Sequence, residues 1–148
     1  MSKQWKGFVG FYFFTFLFAT LSGSAIARDE QNPFAGTWEL VSGKYLGEDK
    51  KWTRSEDAKI TALKILNDSH YSFISLSKGE FWGAGSGTYQ FEKSKYSEIP
   101  VYVSYPMEKG QQYHFTYEMK DGIWTNRRYE KGELVEEEFW RKVQSKQP

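Results

Sequence analysis

Residues 112–143 read QYHFTYEMKDGIWTNRRYEKGELVEEEFWRKV, and three strands joined by two tight turns can be parsed directly from them. In the first segment Tyr113, Phe115, Tyr117 and Met119 fall on one side, with Gln112, His114, Thr116 and Glu118 on the other. That period of two is the mark of a strand, not of a helix. Asp121-Gly122 then supplies a pair of residues that tolerates the left-handed backbone of a two-residue hairpin. It leads into a strand at 123–130. Lys131-Gly132 turns the chain once more into a strand at 133–143.

Working back toward the N-terminus, the same grammar repeats. TWELVSGKY at 37–45 has strand character, with a bend or bulge expected at Gly43. The polar run 46–58 reads as a long loop with one short helical turn, its single aromatic being Trp52. KITALKIL (59–66) ends at the turn Asn67-Asp68, and HYSFISLS (70–77) ends at Lys78-Gly79. Phe81-Trp82 runs into GAGSG (83–87) and then TYQFEK (88–93). Tyr96 to Tyr105 is extended, and Pro100 predicts a bulge or an edge there. The expected fold is all-β: one antiparallel up-and-down barrel of about eight strands. Closure removes the exposed edges of an open sheet, and a barrel of this size either fills with side chains or holds one small ligand.

The first 27 residues read differently. GFVGFYFFTFLFATL at 7–21 carries no charge, follows Lys3 and Lys6, and is succeeded by SGSAIA before Arg28. A basic start, a short apolar run and small residues at Ala25 and Ala27 form an export signal cleaved after Ala27. The run is shorter than the roughly 20 apolar residues of a membrane span, so no stable span is expected after cleavage. The expected organisation is therefore a signal peptide (1–27), a loose leader (28–36), the barrel (37–143) and a tail (144–148), in the periplasm or secreted. Removing Lys3 and Lys6 leaves 18 basic and 19 acidic side chains, a near-neutral domain that lacks the basic face nucleic acid requires. The chain has no cysteine, so an exported domain of this sequence relies on packing rather than disulfides.

Three short motifs carry a resemblance. Phe34-Ala35-Gly36-Thr37-Trp38-Glu39-Leu40-Val41-Ser42 looks like the Gly-x-Trp opening of lipocalins and fatty-acid-binding proteins, within the calycin superfamily. Gly85-Ser86-Gly87-Thr88-Tyr89 and the ending Glu137-Glu138-Phe139-Trp140-Arg141-Lys142-Val143 resemble small bacterial lipocalin-like domains. The resemblance implies that Trp38 plugs the barrel floor and that a basic residue near the end of the last strand packs over it. Arg141 is the expected residue and Lys142 the next. Arg127 and Tyr129 match the spacing of an Arg-x-Tyr element that holds a carboxylate in fatty-acid-binding proteins, although another strand follows here. The two lid helices of those proteins do not fit into 46–58, and the paired cysteines found in some lipocalins are missing.

Other constellations favour plain structural readings. GAGSG is followed by a strand, whereas a phosphate loop needs a helix after it, so a bend in the barrel wall is expected. His70 and His114 lie on different strands and His114 is on the polar face, so neither metal nor heme is expected. Glu136 and Glu138 share one face of their strand and Glu137 takes the other; pairing with Arg127 or Arg128 across the hairpin accounts for them. The function expected is non-catalytic binding of a small hydrophobic or amphipathic molecule, without a cofactor. Its contacts would be Tyr89, Phe91, Tyr113, Phe115, Tyr117 and Trp124, with Arg128 as an anionic anchor. Several tyrosines facing one interior point to a cavity with polar content, because buried phenols need partners. The alternative is a filled barrel that binds a protein partner through its outer strands or the loop around Trp52.

Overall fold

The computed structural model describes residues 32–144. The expected signal peptide, the first part of the leader and residues 145–148 lie outside the described residues. Nine strands follow one another: β1 (Gly36–Leu46), β2 (Trp52–Arg54), β3 (Ile60–Leu66), β4 (His70–Ser77), β5 (Glu80–Glu92), β6 (Lys95–Val103), β7 (Tyr113–Lys120), β8 (Ile123–Glu130) and β9 (Glu133–Lys142). From β3 to β9 each strand pairs antiparallel with the next, β3 also pairs with β1, and β1 pairs with β9 to close the sheet. The result is a closed eight-stranded antiparallel up-and-down barrel with one additional strand. That extra strand is β2, which pairs with β1 at Lys44–Leu46 inside the segment expected to be a loop. The described residues contain no helix, and so none that could cross a membrane.

The turns behave as their residues dictate. Lys78-Gly79, Asp121-Gly122 and Lys131-Gly132 all have positive φ at both positions, the backbone a tight hairpin between twisted strands requires. The β1 bulge falls between Leu40 and Ser42, just before the expected Gly43. GAGSG is no interruption: β5 runs through it, with a register shift between Ser86 and Gly87 opposite Pro100. A Cβ on Gly87 would lie 2.0 Å from the Ile99 carbonyl oxygen, so only glycine permits this close approach of β5 to β6.

One end of the barrel is solid. Phe34, fully enclosed, stands at 4.8–5.0 Å between ring centroids from Tyr117, Tyr96, Phe91 and Trp124. Trp38 is buried beside it and its indole N–H donates to the Phe34 carbonyl at 2.8 Å. Residues 32–35 are therefore a plug and not part of a loose leader, because Asn32 also bonds the Tyr89 hydroxyl and the Phe34 amide. Each such aromatic contributes roughly 1.5–3 kcal/mol on burial. The basic residue over Trp38 is Lys142, whose ammonium lies 5.5 Å from the ring and whose stem crosses Gly36. Arg141 was expected there, but the register pairs Trp38 with Lys142 and turns Arg141 outward to Glu39 at 2.7 Å.

Candidate functional site

Above the aromatic plug the interior changes character. β1, β3, β6, β8 and β9 each send at least one polar or charged side chain inward, and they surround a cavity of about 410 Å³. That volume lies within the range of small-molecule sites. On β3 the inward residue is Lys64, only 4% exposed, and its ammonium meets Glu98 of β6 at 2.7 Å. Glu98 also accepts from the Tyr96 hydroxyl at 2.9 Å. Burial opposes the charge on Lys64, yet the neighbouring Glu98 and Glu138 outweigh it and hold its pKa above the ordinary value. Its ammonium further stands 5.0 Å from the Trp140 ring and 5.4 Å from Trp124, distances at which an aromatic face attracts a cation.

The β8–β9 hairpin supplies the second charged group. Arg128 donates to Glu136 at 2.7 Å and lies 5.7 Å from the Tyr113 ring; it also bonds Glu130. Burial and the neighbouring Glu138 push the Glu136 carboxyl up to about 7, against the pull of Arg128 and Lys64. One inward position further along, Glu138 accepts from the Tyr45 hydroxyl at 3.0 Å and from the Trp140 indole at 2.9 Å. Burial, then Glu138, drives the Tyr45 phenol far above its ordinary value, so it stays a neutral donor. The hairpin pairing expected for Arg128 is present on the inside, and Arg127 pairs with Glu137 on the outside. Glu138, by contrast, finds tyrosine and tryptophan donors rather than an arginine.

Aromatic and small residues complete the wall. Trp82 is skipped by the β4–β5 register, and as the bulged residue it reaches the cavity mouth, 6.3 Å from Tyr45. Phe73, Tyr105, Tyr113 and Phe115 line the sides. A Cβ added at Gly83 would meet nothing nearer than the Ser104 hydroxyl at 3.8 Å, so this stretch of wall faces open space.

Of the residues expected to touch a ligand, Tyr113, Phe115 and Arg128 line this cavity. Trp124, Tyr89 and Tyr117 belong to the plug instead, packed with Phe34. Phe91 is 40% exposed with its ring against Phe34. Arg128 is not a free anionic anchor, because Glu136 and Glu130 already engage it. Arg127 and Tyr129 do not form an interior carboxylate clamp: Arg127 bonds Glu137 and Tyr129 is exposed. Lys64, Glu98 and Tyr45 were not expected as ligand contacts, and Glu138 was expected to pair with an arginine across the hairpin. The one signal available was Lys64 as the single charged residue of β3. Trp52, the aromatic of the loop, is exposed on β2 with the Lys44 ammonium 5.2 Å from its ring.

No protein-family model matches the chain, and no curated protein does. Among solved structures, a lipocalin-like protein from Bacteroides uniformis is similar at 20% identity, covering 74% of this chain and 98% of that one with a TM-score of 0.48.

Proposed function

We propose that this protein is a non-catalytic binding protein that holds a small amphipathic molecule in the open half of its barrel. We also propose that residues 1–27 export it to the periplasm or beyond. The observation that carries the binding role is the 410 Å³ cavity, walled by aromatic rings and by charged groups held in position. Lys64 is locked on Glu98, and Arg128 on Glu136. Such pairs fix their partners in place, which suits recognition of a ligand by a preformed surface. The barrel is filled around Phe34 and hollow above Trp140, so an interaction module built on a wholly filled barrel is the weaker account.

Native mass spectrometry of gently purified residues 28–148 tests the binding role. A discrete small-molecule mass released on denaturation is expected. A clean apo mass, together with tryptophan emission unmoved by amphipathic probes, overturns it.

A further inference from the structure

The cavity holds an unequal set of charges. Three carboxyl groups, Glu98, Glu136 and Glu138, line it with two cations, Lys64 and Arg128. Each cation is engaged with one of these carboxyls, at 2.7 Å in both cases, and Arg128 also bonds Glu130 outside the lining. Glu138 is left with the neutral donors Tyr45 and Trp140, and among the described residues no cation lies within 4.0 Å of it. A carboxylate has about four lone-pair sites, so two remain for a ligand.

A second observation stands apart from the acids. Tyr71 is 2% exposed and its hydroxyl has no hydrogen-bond partner. Burial, then the nearby Glu98 carboxyl on the cavity wall, raises the pKa of that hydroxyl, so it stays a neutral donor. Tyr71 packs within the aromatic core beside the cavity lining, and a buried phenol with no partner leaves a polar position to be satisfied there.

The neighbours favour one sign of ligand. Phe73, Trp82, Tyr105, Tyr113, Phe115 and Trp140 present aromatic surface around the carboxyls. Aromatic faces attract cations, and a ligand carboxylate would meet three acids with both cations already taken. A metal ion fits less well, since among the described residues no three His, Asp or Glu side chains converge as metal ligands. Resting on the reading of the barrel as a binding protein, we infer that the cavity selects an organic ammonium with an apolar body, whose charge is met by Glu138.

Binding is then linked to Glu136. The groups facing that carboxyl are Glu138 on its own strand, Arg128 with Glu130 on β8, Tyr45 on β1, Lys64 on β3 and Tyr105 after β6. A cation added beside Glu138 offsets the repulsion that raises Glu136, so the bound state favours the ionised form. Near neutral pH the ligand therefore displaces part of a proton, and affinity rises with pH through about 7.

The test uses 2-phenylethylammonium, 2-phenylethanol and 3-phenylpropanoate, titrated into residues 28–148 by calorimetry and tryptophan emission. The ammonium is expected to bind about tenfold more tightly than the alcohol, with the carboxylate weakest, the ratio one partly desolvated charge pair supplies. Its binding heat near pH 7 should differ between phosphate and Tris, because the released proton is taken up by the buffer. Glu138→Gln, whose carbonyl can accept from Trp140 while its amide N–H donates to the Tyr45 hydroxyl, should erase the ammonium's advantage over phenylethanol. If that variant does not fold, the ranking and the buffer dependence of the native protein decide. Equal binding of the three probes, or a preference for the carboxylate, overturns the charge selection and leaves the binding role standing. No binding by any of them, with a clean apo mass, overturns both.

Discussion

Replacing Lys64 with methionine tests the charged interior most directly. Lys64 and Glu98 meet at 2.7 Å with side chains 5% and 6% exposed, so neither charge has water as an alternative partner. Methionine fills the space of the lysine stem and keeps favourable contact with the rings of Trp124 and Trp140, so the change isolates the charge rather than the packing. Glu98 would retain only the Tyr96 hydroxyl, 2.9 Å away. Breaking a buried pair from one side costs about 3–5 kcal/mol, because the remaining charge is stranded. For a domain of this size each kcal/mol moves the melting temperature by roughly 4 °C, which gives a drop of roughly 10–20 °C. Lys64→Met/Glu98→Gln removes the stranded charge and keeps the acceptor for Tyr96. It should recover stability to within ~2 kcal/mol of the native protein. Urea unfolding followed by tryptophan emission and far-UV circular dichroism measures all three variants. A loss below ~1 kcal/mol in the single variant would refute the reasoning, as would a double variant whose losses simply add.

Two further outcomes follow from the same geometry. The Glu136 carboxyl is raised from 4.5 to about 7, so its contribution to stability is complete below 4.5 and lost as pH rises through 7. Glu136→Gln should therefore become more stable relative to the empty native protein over that window, by about 3 kcal/mol, read from melts across pH; a constant difference would refute the assignment. Gly87→Ala drives a Cβ into the Ile99 carbonyl at 2.0 Å and should cost at least ~2 kcal/mol. Gly83→Ala, with only Ser104 at 3.8 Å, should stay within about 1 kcal/mol and narrow the cavity, and equal losses in the two variants would contradict the wall geometry.

The interior was hard to read from the chain because inward and outward positions are reset several times. Bulges at Leu40/Ser42, Ser75/Leu76, Ser86/Gly87 and Arg128/Tyr129 each shift the alternation of side chains. Tyr89 and Phe115 both point inward, yet one lies in the plug and the other reaches the cavity. On β3 the pattern misleads outright: Leu63 and Ile65 are 43% and 56% exposed while Lys64 is buried. Hydrophobicity alone would turn that strand over. Pairing of Lys64 with Trp38 of β1 holds it in the observed face, and a slip of one residue would reverse it.

What the chain by itself determined is the order of strands and turns. The hairpins at Lys78-Gly79, Asp121-Gly122 and Lys131-Gly132 depend on two residues each, and Trp38 takes its place from the motif that contains it. Such features are local, so neighbouring residues suffice to specify them. The tertiary structure alone decided that the barrel is solid at Phe34 and hollow above Trp140. It also decided that Lys142 covers Trp38 and that Lys64 meets Glu98 across 34 positions of sequence. Those outcomes depend on register and closure, which are fixed only when the last strand pairs with the first.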